Sequence, residues 1–290
     1  MKTWFRVDQQ ANKGTGGTEE ICETYSTEGY HSMNDDLVRN DCYRKAIREI
    51  CKGGDSFWIE IGCGGDALLT RMVTESPGGN ICALEINSSS AARARQYLRD
   101  EIRQGRAVVV TGSSFDAAVV REVADAAATG KNGTIGYVLH EVFGFFVSSE
   151  GAPCIISHLL KCYPGVKEDS KFLPGKAATF LVPSCIDPQQ DLMEKNELYV
   201  SEKLILRKRL DFEACRLSPT SSALEYYDFN KNFALKQERT HVFAVSRDGL
   251  LNSLSFFIWV DFDIEVRDRA VSLFLPPTSS LHLLLTDTDV

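Results

Sequence analysis

Between residues 57 and 139, four short apolar runs (57–61, 81–86, 107–111 and 134–139) are separated by three stretches rich in alanine, leucine, arginine and glutamate (66–74, 89–104 and 116–128). That alternation is the tightest constraint the chain places on its own fold. Strands apolar along their whole length are buried on both faces, and helices between them act as crossovers. The pattern therefore predicts a parallel sheet covered on both sides, an α/β doubly wound fold. A further helix is predicted over 152–162, stopped by Pro164. Upstream, Asn34 is the expected N-cap, with Asp35 and Asp36 at the positive end of a helix. The apolar stripe of that helix is Leu37, Tyr43, Ile47 and Ile50, and it ends near Gly53-Gly54.

The texture changes after Phe172-Leu173-Pro174-Gly175. Alternating, β-branched and aromatic runs at 178–182, 224–229, 241–245, 254–260 and 271–275, with a turn signal at Arg247-Asp248-Gly249, predict a β-rich second half. The charged segment 189–209 fits either a helix or a protruding hairpin. At 290 residues the chain has room for about two domains of ~150. We divide it into a loose leader, 1–24, containing Gly14-Thr15-Gly16-Gly17, an α/β domain, 25–175, and a β-rich domain, 176–290.

With Lys+Arg 32 against Asp+Glu 40 the net charge is −8, which argues against nucleic acid or an anionic membrane as the main partner. The 9 cysteines (Cys22, Cys42, Cys51, Cys63, Cys82, Cys154, Cys162, Cys185 and Cys215) are odd in number, scattered, and without a CxxC pair, so they read as reduced thiols. The N-terminal residues lack a signal-peptide core, and no run approaches the ~18 apolar residues of a membrane span. The expected address is the cytoplasm, or the nucleus. His31, His140, His158, His241 and His282 show no ligand spacing, and no metal is expected.

The first predicted strand runs into Gly62-Cys63-Gly64-Gly65-Asp66 and then a helix. Glycines there allow a tight turn and close approach of a ligand to free N–H groups. There is no Gly-Lys-Ser/Thr, which excludes a Walker phosphate loop. Glu85 ends the second strand 23 residues after Gly62, near the ~20-residue offset at which an acid grips ribose hydroxyls. Two nucleoside cofactors fit. Gly62-x-Gly64-x-x-Ala67 matches a nicotinamide fingerprint, which would make the chain a dehydrogenase, whereas Glu60 just before the turn suits the ammonium group of S-adenosylmethionine. Cys63 reads as a small filler beside the cofactor.

The fourth strand delivers His140-Glu141-Val142-Phe143-Gly144-Phe145 and then Glu150, at the strand ends where open α/β sheets bind ligands. Glu141 and Glu150 bracket an aromatic loop hinged at Gly144. If it folds back, two anions between apolar walls make a receptor for guanidinium; the bland alternative is two solvated glutamates.

This loop resembles the double-glutamate loop of the protein arginine methyltransferases, Ser-Glu-Trp-Met-Gly-Tyr followed by a second glutamate. Met33-x-x-Asp36-x-x-Arg39-x-x-x-Tyr43 resembles that family's cofactor-covering helix, and Phe172-Leu173-Pro174-Gly175 its link into a β-barrel domain. The resemblance implies a Rossmann-like class I methyltransferase domain followed by a barrel-like domain for substrate and dimerisation. It implies S-adenosyl-L-methionine as cofactor, held by Arg39, Glu60, Gly62, Cys63, Gly64, Glu85 and Ser114. The acceptor would be a guanidino nitrogen of a protein arginine or a small guanidino compound, met by Tyr25, Met33 and Asp36 and activated by the catalytic pair Glu141 and Glu150. A homodimer, or a heteromer with a related methyltransferase, is implied as well.

The chain departs from the family at several points. Asp66 stands where the third glycine is usual, crowding the cofactor or capping the helix. Ile21 and Cys22 replace two aromatics of the N-terminal motif. The adenine-binding acid has no clear counterpart among Ser114, Phe115 and Asp116, and the Thr-His-Trp loop has no match, with Arg267-Asp268-Arg269 or the region of His282 as stand-ins. These departures keep open a second expectation: a catalytically inactive paralogue acting as a regulatory subunit. The dehydrogenase ranks below both, because no hydride-transfer acid or base is evident.

Overall fold

The computed structural model describes residues 35–54, 56–129, 134–144, 146–185, 199–201, 204–207, 215–266, 269–275 and 280–284. The leader 1–24, Tyr25, Met33 and Asn34 lie outside them. Helix α1 (Leu37–Cys51) is capped by Asp36, whose Oδ1 accepts the Arg39 N–H at 3.0 Å, so the start of the helix falls on Asp36 and not on Asn34. Its buried face is Arg39, Asn40, Tyr43, Ala46, Ile47 and Cys51. Leu37, expected in the stripe, is 77% exposed; six positions before Tyr43 it lies about 120° around the helix from it.

Strands β1 (Ser56–Ile61), β2 (Gly79–Glu85), β3 (Ala107–Thr111), β4 (Ile135–His140) and β5 (Val166–Leu173) form a five-stranded sheet in the order β3-β2-β1-β4-β5. Every pairing is parallel. The crossovers are α2 (Leu68–Thr74), α3 (Ser88–Tyr97), α4 (Arg99–Arg103), α5 (Ala117–Ala128) and α6 (Ala152–Cys162). The single helix expected over 89–104 is two, meeting at the fully buried Leu98. β5 was not expected from its sequence: Lys167, Glu168, Asp169 and Lys171 point outward on an edge strand, which hides the buried Val166, Ser170, Phe172 and Leu173.

Strands β6 (Lys176–Ser184), β7 (Tyr199–Ser201), β8 (Leu204–Arg207), β9 (Ser222–Asp228), β10 (Ser253–Val266), β11 (Arg269–Leu275) and β12 (Ser280–Leu284) make a second, antiparallel sheet in the order β7-β8-β12-β10-β6-β9, with β11 on β10. The described part of the undecided segment 189–209 is the β7–β8 hairpin. The strand expected over 241–245 does not form: Val242 and Val245 are exposed, and at Tyr226 the open edge of β9 is engaged by the Gln237 carboxamide instead.

One core joins the two sheets. Trp58, Val138, Leu139 and Phe172 from the first are continuous with Ala177, Tyr227, Phe229, Val260 and Phe262 from the second. Each such large apolar side chain contributes roughly 1.5–3 kcal/mol by leaving water. Helix α1 bridges the seam, with the Tyr43 ring edge-on to Phe262 at 4.8 Å. Strand order reverses between β1 and β4, which puts the expected ligand crevice beyond their carboxyl ends. Among the described residues, no helix is long and apolar enough to cross a membrane.

Candidate functional site

The turn after β1 is held by its backbone. The N–H groups of Gly62 and Cys63 both donate to the Leu84 carbonyl of β2, at 2.9 and 3.0 Å. Gly62 and Gly64 adopt φ values of +73° and +65°, which side chains strain. A Cβ on Gly62 would lie 3.2 Å from Val142 Cγ1, which places the acid loop directly against this turn. Asp66 does not cap α2, whose cap is Ala67 with no side-chain bond; its carboxylate pairs with Arg93 of α3.

Glu60 and Glu85 end the two central strands beside the turn. Glu60 is 2% exposed and accepts the Thr70 hydroxyl. Burial, reinforced by the neighbouring Glu85, pushes its carboxyl up to about 7 against the opposing Thr70 bond and Arg39 charge. Glu85 reaches back: Oε2 accepts the Gly64 N–H at 2.8 Å and Oε1 the Asn87 N–H at 2.9 Å. Each oxygen keeps a second lone pair, so the carboxylate can brace the turn and still accept from a diol. The Cys63 thiol is buried, and its pKa is pushed far up by burial and by both glutamates, which leaves it neutral and unsuited to nucleophilic work.

After β3, the carbonyl of the buried Ser114 accepts the Tyr163 hydroxyl at 2.7 Å. Phe115 stays half exposed, its ring 4.8 Å from that of His158. The Asp116 carboxylate accepts the Ser113 N–H at 3.3 Å.

Strand β4 ends in His140, fully buried between the edges of Phe143 and Phe229. Its Nε2 lies 3.1 Å from the Pro174 carbonyl, so the ring is the Nε2–H tautomer, and among the described residues Nδ1 has no hydrogen-bond partner. Burial lowers its pKa to about 3, so it is neutral. Glu141 follows, and it is gripped by Arg39: Nε donates to Oε1 and Nη2 to Oε2, a two-pronged guanidinium–carboxylate pair. Arg39 also donates Nη1–H to Asn40 Oδ1 at 2.7 Å and lies over the Tyr43 ring at 5.7 Å. The resemblance assigned Arg39 to the cofactor and Glu141 to the acceptor. Here the two hold each other, the buried Arg39 and the partly buried Glu141 each serving the other as counter-ion. Asp36, expected to face substrate, spends one oxygen on capping α1.

The loop then turns back on itself. The Ser149 hydroxyl donates to the Phe146 carbonyl at 2.9 Å, and the Gly151 N–H to the Ser148 carbonyl at 3.0 Å. A Cβ on Gly144 would meet Ser149 Oγ at 2.4 Å and Glu150 Oε1 at 3.3 Å, so Glu150 folds onto the hinge three residues from Glu141. Burial raises the Glu150 carboxyl to about 7. Two residues that sequence reasoning missed hold this turn. The Val147 N–H donates to Thr179 Oγ1 at 3.0 Å, and the Ser148 N–H to Glu225 Oε1 at 3.1 Å. Nothing in the β-strand patterns of 178–182 or 224–229 marks them, since polar residues in strands are ordinarily the solvent face.

Arg39, Glu60, Gly62, Gly64, Glu85 and Glu141 thus meet at the carboxyl ends of β1, β2 and β4. A separate cavity of about 420 Å³, lined by Arg48, Cys51, Lys52 and Glu75 among others, lies at the amino ends of the strands, away from all of them. Among the described residues, no group of histidine, cysteine and acidic side chains could hold a metal ion.

No protein-family model matches the sequence, and no curated protein is similar to it. Solved structures do match. The Trypanosoma brucei PRMT1 enzyme–prozyme heterotetrameric complex with AdoHcy superimposes with a TM-score of 0.67 at 16% identity, covering 91% of this chain and 84% of that one. Arabidopsis thaliana protein arginine methyltransferase 10 gives 0.66 at 14% identity over 92% and 85%, and PRMT6 gives 0.65 at 14% identity over 91% and 89%. The fold is therefore that of the protein arginine methyltransferases: a Rossmann-like sheet in the order 3-2-1-4-5, followed by an antiparallel β-sheet domain.

Proposed function

We propose that the chain is a divergent member of the protein arginine methyltransferase family that transfers a methyl group from S-adenosyl-L-methionine to a guanidino nitrogen of a protein arginine or a small guanidino compound. The observation that carries this reading is the fork of Arg39 on Glu141: this carboxylate accepts a guanidinium through both oxygens, as an acceptor arginine would present it. The glycine cradle at Gly62 and Gly64, with Glu85 drawn to its edge and Glu60 buried beside it, fits the cofactor. Glu85 and the loop at Ser114 suit the nucleoside, and Glu60 and Arg39 the amino-acid end. When bound, S-adenosylmethionine supplies an electrophilic methyl on a sulfonium.

The chain's own residues do the rest. A protonated guanidinium is a poor nucleophile, with a pKa above ~12. Glu141 and Glu150 bind its N–H groups, draw positive charge away from the attacked nitrogen and orient it, so positioning and charge stabilisation are the catalytic terms. Glu150, raised to about 7, is matched to receive the proton released as the new C–N bond forms.

One arrangement favours the second reading, a silent paralogue that serves as regulatory subunit in a heteromer. Asp66, where the family's third glycine is usual, pairs with Arg93 beside the glycine turn. Methyl-labelled cofactor, offered with arginine-rich peptides and with free arginine, separates the readings. We expect label on a guanidino nitrogen. Cofactor binding without label on either acceptor overturns the methyl-transfer reading, and absent or weak cofactor binding favours the silent paralogue.

A further inference from the structure

We propose that Thr179 and Glu225 are positioning residues for the acid loop, so that the antiparallel sheet sets the aim of Glu150. The inference rests on the methyltransferase reading for its consequence, but its geometry stands apart from it. Thr179 of β6 and Glu225 of β9 are directly paired across the strands, and the register shifts immediately after them. The pair forms a small acceptor hub. The Thr179 hydroxyl donates to Glu225 Oε1 at 2.6 Å, the Ser148 N–H donates to the same oxygen, and the Tyr227 hydroxyl donates to Oε2 at 3.3 Å. Thr179 in turn accepts the N–H of the fully buried Val147.

Glu225 is 8% exposed, and among the described residues no lysine or arginine pairs with it. A carboxylate stripped of water is costly unless donors replace the water. Here four neutral groups do so directly or through Thr179, and two of them are backbone N–H groups of the loop that returns from Glu141 to Glu150. A strand-edge carboxylate that only stitched β6 to β9 would need neither. Fixing the N–H vectors at 147 and 148 fixes the path of the chain two residues before Glu150 and four before α6. The catalytic loop is therefore carried on one sheet and clamped by the other.

The test uses the full chain with Glu225→Ala, Glu225→Gln and Thr179→Val, read by amide exchange and by steady-state kinetics. In Glu225→Ala and Thr179→Val we expect faster exchange across 141–151 while 81–85 and 135–140 stay protected. We also expect kcat to fall by up to about 10²-fold, the scale of a 1 Å misplacement, with the KM for cofactor changed less than about twofold. Glu225→Gln keeps an acceptor for Ser148 and Thr179 and should recover most of the lost rate. Unchanged loop exchange, or exchange rising equally in the parallel sheet, overturns the proposal. So does a fall in kcat that Gln does not rescue. If Glu225→Ala fails to fold, Thr179→Val, which only replaces a hydroxyl by a methyl, decides the matter. Wild-type protein silent in methyl transfer would sink the function proposed above, yet the exchange data would still judge the clamp.

Discussion

The glycine turn and the acid loop face each other across one crevice and are built in opposite ways. The turn is held mainly by backbone, through two N–H groups on the Leu84 carbonyl and positive φ at Gly62 and Gly64, with one side chain, the Glu85 carboxylate 21 residues away, accepting the Gly64 N–H. The acid loop and the strand end before it are held from three remote places, two of them supplying side chains and the third the Pro174 carbonyl. Arg39 sits on Glu141 from 102 positions upstream, Pro174 meets His140, and Thr179 and Glu225 meet Val147 and Ser148. A backbone-built site tolerates little change in shape but needs few partners; a partner-built site is adjustable and fails when a partner is lost.

The largest test of that contrast is Glu141→Gln. Replacing the partly buried Glu141 leaves the buried Arg39 without its paired carboxylate, with only Asp36 and Glu60 near it among the described acids, a loss of up to about 3 kcal/mol, and methyl transfer should fall about 10²–10³-fold. Chemical denaturation and labelled-methyl assays read the two effects. A variant as stable as wild type would show that Arg39 does not depend on Glu141. Next comes a pair of glycine substitutions. A Cβ on Gly79, at the start of β2, would lie 2.2 Å from the Val73 carbonyl oxygen, which is backbone and cannot yield, so Gly79→Ala should cost about 3 kcal/mol. At Gly144 the obstructing atoms are the side chains of Ser149 and Glu150. Gly144→Ala should cost about 1 kcal/mol while displacing Glu150 and lowering kcat about tenfold or more. Equal thermal shifts for the two would erase the distinction.

The same contrast explains what the sequence makes legible. The parallel sheet, the glycine turn and Glu85 are readable because their signals are local: apolar runs, a glycine cluster and an acid at a fixed offset. Glu141 and Glu150 stand out in the sequence as two acids carried by one glycine-hinged loop. That Arg39 lies on Glu141 is not readable, since it depends on α1 crossing the seam between two sheets. Thr179 and Glu225 look like outward strand positions until the loop packs on them, and β5 is concealed by its charged outer face. The false strand at 241–245 fails for a related reason: alternation specifies a strand only if an edge is available, and at Tyr226 a glutamine side chain is already there.

Acidity offers a smaller, graded effect. The Glu150 carboxyl, at about 7 when folded against 4.5 ordinarily, keeps its proton in the folded state over a range where the unfolded chain has lost it. Stability from this group therefore declines as pH rises from about 4.5 to 7, by up to about 3 kcal/mol. Binding of a guanidinium needs the ionised form, so binding free arginine in the presence of S-adenosylhomocysteine should release about half a proton at pH 7 and almost none above pH 8.5. Titration calorimetry in buffers of different ionisation enthalpy measures this. Glu60 titrates in the same range on the turn side, so Glu150→Gln is the control: proton release that persists in that variant belongs to Glu60, and the acid loop would then be as rigidly ionised as the contrast denies.

The smallest expected effect probes the exposed ion pair beside the glycine turn. Asp66 is 19% exposed and Arg93 44%, so their ion pair is largely screened, and Asp66→Gly should change stability by no more than about 1 kcal/mol. Its functional reading is sharper than its energetic one. If the turn is shaped by its backbone and Glu85, cofactor affinity in Asp66→Gly should stay within about threefold of wild type, because removing a screened surface pair alters neither Gly62 nor Gly64. An affinity gain of tenfold or more, measured by calorimetry with S-adenosylhomocysteine, would mean that Asp66 and Arg93 obstruct the cradle. The turn would then be partner-controlled like the acid loop, and the regulatory-subunit reading would gain at the expense of the enzyme.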